Sequence, residues 1–104
     1  FCWLQSIEDP DLAFTLVNPY LVHEGYNPKF PTSQMEKLGE GSQEDYSVLS
    51  IVIIPDDIKE IRTNLMAPIV INLKTRKAAQ IITEGDNYPV KYYIFKQLEK
   101  NKAK

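Results

Sequence analysis

Residues 64–72 read Asn64-Leu65-Met66-Ala67-Pro68-Ile69-Val70-Ile71-Asn72, a run without charge in a chain that is 25% charged. Ile69, Val70 and Ile71 are branched at Cβ, which suits the pleated surface of a strand better than a helix. Three apolar residues in succession indicate a strand that is covered on both faces. Pro68 has no N–H to give to a ladder and therefore fits the first position of that strand. We predict a central buried strand here. An asparagine lies at each end of the run, where its side-chain amide can hydrogen-bond nearby backbone groups.

The composition is that of an ordinary globular chain. With 104 residues, 43% of them hydrophobic, the sequence can form one domain with a single core. It contains no apolar run near the roughly 18 residues that a membrane span requires. Cys2 is the only cysteine, so an internal disulfide framework is excluded and a reducing cytosol is compatible. The opening run Phe1-Cys2-Trp3-Leu4 reads as a buried strand, so we expect the chain to begin inside a domain, without its earlier strands.

Charge is unevenly distributed along the chain. Residues 1–57 contain ten acids and two bases, a net of −8, whereas residues 58–104 contain four acids and ten bases, a net of +6. Either the two halves fold against each other and their charges pair or are solvated, or the acidic half forms a face for a basic protein partner. In the second case complementary charge would raise the association rate more than the affinity.

Strand signals alternate with turn signals. We predict a first hairpin from residues 1–7 and 12–17, joined by the acidic turn Glu8-Asp9-Pro10-Asp11. Residues 46–54 form the longest β-favouring run, and residues 78–83 form a strand that returns after a turn at 74–77. The pattern is typical of a mainly β fold, a small antiparallel β-barrel or sandwich with one or two short helices.

Helix signals are few. Ser33 and Glu36 have the spacing of a capping box, which predicts a helix of about two turns that ends at Gly39. The prolines of residues 19–31 indicate a connecting loop. Residues 88–104 favour an extended start followed by an amphipathic helical end.

The residues that usually carry catalysis or metal binding are scarce. His23 is the only histidine, and with a single cysteine the chain lacks the four ligands of an ordinary zinc site. The four glycines are scattered, which excludes a glycine-rich phosphate loop. No serine lies in a sequence motif typical of a catalytic nucleophile. The acidic residues at 8–11 lack the spacing of a calcium-binding loop. We therefore expect no enzyme activity, no metal and no cofactor.

A β-barrel that binds single-stranded nucleic acid is the alternative class. Tyr88, Tyr92 and Tyr93 could stack on bases while Lys91 and Lys96 meet phosphates. The net charge of −2 weakens this interpretation, since such binding depends on a positive surface. A polar pocket with perturbed acids would favour an enzyme instead.

Four blocks of the sequence resemble the family of the flagellar assembly factor FliW, in the family's order and at compatible spacing. They are Trp3-Leu4-Gln5-Ser6-Ile7-Glu8-Asp9-Pro10-Asp11-Leu12-Ala13-Phe14, Val17-Asn18-Pro19-Tyr20, residues 64–72, and Arg76-Lys77-Ala78-Ala79-Gln80-Ile81-Ile82. The first and third blocks are the specific ones. Two departures stand out, because the family's N-terminal strands are absent and the lysine-rich end differs from the family's short polar tail. We therefore interpret residues 1–104 as a single FliW-like β domain.

The resemblance implies a bacterial cytoplasmic protein that binds two alternative protein partners without catalysis. One is flagellin before export, which makes the protein chaperone-like, and the other is the RNA-binding translational regulator CsrA. Abundant flagellin would occupy the factor and leave CsrA free to repress flagellin translation, and after export the factor would capture CsrA. Mutually exclusive binding of two ligands suffices for such a switch, as a coupling free energy. Direct binding of nucleic acid or of a membrane is not implied.

Partner-binding residues are predicted in the acidic first hairpin and at the exposed ends of the central strand. The candidates are Glu8, Asp9, Asp11, Asn64 and Asn72. The alternative is that Asn64 and Asn72, with Ala67 and Pro68, determine the fold instead. For the hydrophobic core we predict Leu12, Phe14, Ile51, Ile53, Val70 and Ile81.

Overall fold

The computed structural model of this protein describes residues 2–5, 13–85 and 87–97. The turn predicted at residues 8–11, with Glu8, Asp9 and Asp11, lies outside the described residues. The same holds for the predicted core residue Leu12 and for the side chain of Phe14.

Seven short strands and two short helices form the described part of the chain. The strands are β1 (Cys2–Gln5), β2 (Ala13–Val17), β3 (Tyr46–Ile53), β4 (Arg62–Thr63), β5 (Ile69–Asn72), β6 (Lys77–Gln80) and β7 (Tyr92–Tyr93). The helices are α1 (Pro19–Val22) and α2 (Thr32–Glu36), with 3-10 turns at Gln43–Asp45 and Ile58–Glu60 and a helical stretch at residues 94–97. No helix within the described ranges is long and apolar enough to cross a membrane.

β3 is the strand to which most of the others attach. It pairs antiparallel with β2, β4 and β5, while β1 adds to β2, β7 to β4 and β6 to β5. Its eight residues are long enough to hold three partners. The predicted antiparallel, mainly β fold with short helices is confirmed. Within the described residues the sheet branches at β3 and does not close into a complete barrel.

β5 is the predicted central strand, and it begins at Ile69 directly after Pro68, as expected. Residues 64–68, which precede β5, do not form ladder pairs with β3. Val52 faces Thr63 and Leu49 faces Ile69, so the five residues 64–68 stand opposite only two residues of β3. The excursion is an asparagine-bonded turn, because the Asn64 side-chain oxygen accepts from the N–H groups of residues 66 and 67, both at 3.0 Å.

Buried side chains form two clusters, one on each arm of the sheet. The first consists of Val17, Val52, Ile61 and Ile94. The second consists of Leu38, Val70 and Ile81, and it is extended by the half-buried Phe30, Met35, Tyr46, Val48 and Ala79. The predictions that Val70 and Ile81 lie in the core are confirmed.

Ile53 was expected in the core and is 51% exposed, so that prediction is wrong. Val52 points into the first cluster, and alternation along a strand turns its neighbours Ile51 and Ile53 to the opposite face. Among the described residues nothing covers that face fully, and Ile51 is only half-buried.

The local signals for helices were partly misread. Residues 19–31 are not entirely a loop, because Asn18 accepts a hydrogen bond from the N–H of Tyr20 (3.0 Å) and caps α1, with Pro19 in its first turn. α2 begins directly after Pro31, so Ser33 lies inside the helix and the predicted capping box does not form. Gly39 does end this segment, with φ of +88°.

The predicted hairpin between β5 and β6 forms without a glycine. Arg76 takes the left-handed conformation, with φ of +64°, that glycine usually supplies. The returning strand stops at Gln80, three residues earlier than expected. It stops there because Ile81 and Thr83 bond instead to the carbonyls of Pro68 and Met66, which lie outside β5.

Adjacent isoleucines give a matched test of this packing. Ile81 is 2% exposed and Ile82 is 62% exposed. We expect Ile81→Ala to lower the free energy of unfolding by about 2–5 kcal/mol, because it leaves a cavity in the second cluster. We expect Ile82→Ala to change it by less than about 0.5 kcal/mol. Urea denaturation measures both values. Equal losses would show that Ile81 is not buried while Ile82 is exposed, as assigned here.

Candidate partner-binding surface

A groove runs beside α2, and two acidic side chains line it. Its outer part is a depression of about 450 Å³ lined by Thr32, Met35, Glu36, Gly39, Glu40, Gly41 and Tyr46. A second depression of about 270 Å³ adjoins it and is lined by Tyr20, Asn27, Pro28, Phe30, Met35, Gln43, Tyr46, Val48 and Val70. Met35 and Tyr46 line both depressions. We call the two together the α2 groove.

The floor of the α2 groove is apolar and adaptable. Met35, Tyr46 and Phe30 are half-buried and rest on the second hydrophobic cluster. Tyr20 at one end is 47% exposed. A thioether and aromatic rings of this kind can fit partner side chains of different shapes. The floor therefore offers an anchor point for an apolar side chain of another protein.

The rim of the α2 groove is acidic. From residue 32 to residue 46 the chain carries Glu36, Glu40, Glu44 and Asp45 against the single base Lys37, a net charge of −3. Glu36 and Glu40 line the groove and are exposed. The Asp45 carboxylate accepts from the N–H (2.8 Å) and the hydroxyl (3.2 Å) of Ser42 and holds the loop in place. A partner that enters this groove meets negative charge above an apolar floor, which favours a basic surface.

Asn72 fixes the loop that carries the acidic rim. Its side-chain nitrogen donates to the carbonyl oxygens of Leu38 (3.0 Å) and Glu40 (3.2 Å). Its side-chain oxygen accepts from the N–H groups of Lys74 (2.9 Å) and Thr75 (3.2 Å). This buried amide is thus hydrogen-bonded at both ends, and it ties the turn after β5 to the loop after α2.

Gly39 and Thr75 close the same junction. The Thr75 hydroxyl donates to the Leu38 carbonyl at 2.6 Å. A Cβ on Gly39 would approach the Thr75 methyl group to 2.7 Å, so a larger residue would push the loop away from the hairpin. The positive φ of Gly39 adds a second reason for glycine at this position.

The structure separates the residues that the sequence grouped as partner-binding. Asn72 is 0% exposed, so the expectation of an exposed side chain there is wrong, and its contacts support the alternative that it determines the fold. Asn64 is half-buried and lines a different cleft, of about 180 Å³, together with Ile53 and Val90. Partner binding by Asn64, and by the acids of residues 8–11, which lie outside the described residues, stays a prediction.

The groove itself was not predicted as a site. The sequence pattern assigns Glu36 only to the predicted capping box. The acidic character of residues 36–45 was visible in the sequence, but its relation to an apolar floor was not. That relation depends on residues 20, 30 and 46, which only the fold brings to α2.

The tyrosines proposed to stack on nucleic acid bases are largely engaged within the protein. Tyr88 packs edge-on against Tyr26 (4.6 Å between ring centroids) and against His23 (5.8 Å). Tyr92 lies 5.2 Å from His23 and donates through its hydroxyl to the carbonyl of Val22 (3.1 Å). Lys96, proposed for phosphate, pairs with Glu60 at 3.1 Å and lies 4.6 Å above the Tyr93 ring. These contacts argue against a row of free rings for base stacking.

The aromatic cluster has a distinct acid–base character. Burial raises the pKa of Tyr26, with smaller contributions from Tyr20 and Tyr88, and burial also raises the pKa values of Tyr20 and Tyr92. The Tyr26 hydroxyl therefore stays protonated and donates to the Leu65 carbonyl at 2.7 Å. This bond anchors the turn at residues 64–68 to the segment after α1.

Comparison with known proteins agrees with the resemblance seen in the sequence. The model of the family described as FliW protein matches residues 1–94. The flagellar assembly factor FliW of Caldicellulosiruptor saccharolyticus is 42% identical over 104 residues, which are 100% of this chain and 68% of that protein. The factor of the same name from Pseudothermotoga lettingae is 42% identical over 102 residues, which are 97% of this chain and 65% of that protein.

A solved structure shows the same architecture. The crystal structure of a flagellar assembly factor FliW superposes with a TM-score of 0.83 at 31% sequence identity. The match covers 89% of this chain and 66% of that chain. The chain thus spans about two thirds of the length of these similar proteins.

Asn72→Ala tests the support of the α2 groove. The substitution removes four hydrogen bonds at a fully buried position and leaves the Glu40 carbonyl and two N–H groups without their side-chain partner. It should lower the free energy of unfolding by about 2–4 kcal/mol. Asn64→Ala is the matched control. Because Asn64 is only half-buried, its loss should cost about 1 kcal/mol. Urea denaturation that finds Asn72→Ala no more harmful than Asn64→Ala would contradict the role assigned to Asn72.

The raised pKa of Tyr26 predicts a loss of stability at alkaline pH. An unfolded tyrosine ionises near pH 10, whereas the folded one resists ionisation. The stabilising contribution is fully present below about pH 10 and is lost as the pH rises towards the raised pKa. We expect the free energy of unfolding of Tyr26→Phe to fall less steeply above about pH 10 than that of the unaltered protein. Denaturation curves that stay parallel between the two would refute the prediction.

Proposed function

This chain belongs to the FliW family of flagellar assembly factors, and from that premise we propose that it binds flagellin and a CsrA-type RNA-binding regulator in turn. The observation that carries the proposal is the family match over residues 1–94, together with 42% identity to a named flagellar assembly factor along the whole chain. Flagellin held before export would make the protein chaperone-like. Capture of the regulator would relieve translation of flagellin. No step of this scheme requires catalysis, and both partners would be met in the cytoplasm.

The α2 groove supplies chemistry suited to the regulator. A basic surface of the regulator, outside its RNA site, would complement the net charge of −3 between residues 32 and 46. The apolar floor at Met35 and Tyr46 would then receive an apolar side chain beside the basic ones. We assign the regulator to this groove for that reason.

Mutual exclusion follows if flagellin covers part of the same surface. Two ligands that share residues cannot bind together, so each lowers the apparent affinity of the other, and the effect is reciprocal. Asn72 would act only indirectly, as the residue that positions the rim. Asn64 and the acids Glu8, Asp9 and Asp11 remain proposed contacts outside the groove.

A competition experiment tests the switch. The immobilised protein is incubated with purified flagellin, with purified regulator, and with both, and the retained amounts are measured. We expect each partner to be retained alone and to displace the other in proportion to its concentration. Failure to retain either protein would overturn the proposed function, and retention of both in one complex would overturn mutual exclusion.

Charge reversal in the groove tests the assignment of the regulator. We expect Glu36→Lys with Glu40→Lys to weaken its binding by about tenfold or more, mainly through a slower association rate, because the rim would repel a basic partner. Glu24→Lys with Asp56→Lys is the matched control, since it changes the net charge equally at exposed positions that do not line the groove. Surface plasmon resonance at two salt concentrations separates the rates. Equal losses in both variants would show that only net charge matters.

The acidic first hairpin has its own test. Glu8→Lys with Asp9→Lys should weaken binding of at least one partner if these residues border the interface. Binding of both partners at unchanged affinity, with an unchanged melting temperature, would remove this turn from the interface.

A further inference from the structure

One end of the α2 groove is built on a segment outside the helices and strands. This segment, residues 23–31, connects α1 to α2. Its residues Asn27, Pro28 and Phe30 line the depression of about 270 Å³ together with Tyr20 of α1, and we call this depression the inner end of the groove. Because the segment has no regular ladder of hydrogen bonds, its position depends on contacts with other parts of the chain.

Tyr26 ties this segment to the turn before β5. Its side chain is buried, with 4% exposure for the residue, and its hydroxyl donates to the Leu65 carbonyl at 2.7 Å. Leu65 is 0% exposed, so water does not reach this carbonyl to replace the hydroxyl. The bond therefore holds together two segments that are 39 residues apart in the sequence.

The ring of Tyr26 supports the residues that form the inner end. Its centroid lies 5.5 Å from that of Tyr20 and 4.6 Å from that of Tyr88. The Tyr88 hydroxyl in turn accepts from the N–H of Asn27 at 2.9 Å, one residue beyond Tyr26. Tyr26 itself lines neither depression of the groove. It therefore lies behind the inner end and contacts the residues that form it.

We propose that Tyr26 is a positioning residue of the α2 groove, which holds Tyr20, Asn27 and Pro28 in place to receive an apolar side chain of the bound protein. The inference rests on the proposed function, in which this groove binds the regulator. The acidic rim acts on the association rate through charge, whereas a preformed apolar end acts on how long the partner stays bound. Loss of the Tyr26 hydroxyl should therefore change the dissociation rate alone.

Tyr26→Phe tests the proposal, because it removes the hydroxyl and keeps the ring. In surface plasmon resonance with purified regulator, we expect dissociation to become about two- to tenfold faster, the factor that corresponds to one hydrogen bond. The association rate should stay unchanged. Circular dichroism checks that the variant is folded.

Thr63→Val is the matched control. The Thr63 hydroxyl also donates to a backbone carbonyl, that of Ile51 at 2.8 Å, and the residue is 1% exposed. Thr63 does not line the α2 groove. We expect this variant to lower the melting temperature, as Tyr26→Phe does, but to leave both rates of regulator binding unchanged. A general loss of stability is thereby separated from a loss of positioning.

Hydrogen exchange of the Asn27 amide, measured by NMR, gives a readout that needs no partner. Loosening of the segment in Tyr26→Phe should make this amide exchange faster, while Thr63→Val leaves it unchanged. Tyr88→Phe is a second variant, for use if Tyr26→Phe does not fold. It removes the acceptor of the Asn27 N–H and should change exchange and dissociation in the same direction.

Three results would overturn the proposal. One is a dissociation rate that changes by less than about twofold in Tyr26→Phe, or in Tyr88→Phe if that variant replaces it. Another is an equal increase of the dissociation rate in Thr63→Val. The third is unchanged exchange of the Asn27 amide in the folded tyrosine variants. If the unaltered protein binds no regulator, the proposed function fails, and the exchange measurement still decides whether Tyr26 positions this end of the groove.

Discussion

The buried amide of Asn72 is the constraint on which the described surface depends. It lies at the end of the central strand. Its side-chain oxygen accepts hydrogen bonds from the turn of the following hairpin, and its side-chain nitrogen donates hydrogen bonds to the loop after α2. A buried polar group without partners would destabilise the fold, whereas a fully bonded one specifies a single arrangement. The carbonyls that it binds lie 34 and 32 residues earlier in the chain. One side chain therefore fixes two distant segments relative to each other, and the acidic rim is built on one of them.

Branching of the sheet at β3 determines where surfaces can form. Because β2 and β4 pair near one end of β3 and β5 near the other, two hydrophobic clusters develop instead of one. The cluster around Val70 supports α2 and the apolar floor of the groove. The cluster around Val52 supports β7 and leaves Ile53 on the opposite face. The five residues 64–68 absorb the change of register between the two arms, held by Asn64 and by the Tyr26 hydroxyl.

The acidic and basic residues that are unevenly distributed along the sequence lie on separate surfaces of the folded chain. Among the described residues, part of the acidic half of the sequence is concentrated at the loop beside α2, above side chains that can accept an apolar anchor. Part of the basic half is concentrated at the β5–β6 hairpin, where Arg76 occupies the left-handed position of the turn. Two surfaces of opposite sign therefore lie on the two elements that Asn72 joins. Such a distribution suits a protein whose work is the binding of other proteins.

Four features follow from local properties of the sequence: the fold class, the strand that begins after Pro68, the extent of β3 except for its last residue, and the burial of Val70 and Ile81. Branching at Cβ, the missing N–H of proline and apolar runs are local properties, and they act on the chain wherever it lies. Membership of the FliW family was likewise legible from ordered blocks of residues. The exposure of Ile53, the burial of Asn72 and the common groove of Met35, Tyr20 and Tyr46 are evident only in the folded chain. Those outcomes depend on contacts between segments that are distant in the sequence, such as Asn72 and Leu38, which are 34 residues apart. Spacing along the chain does not reveal which distant segments come into contact.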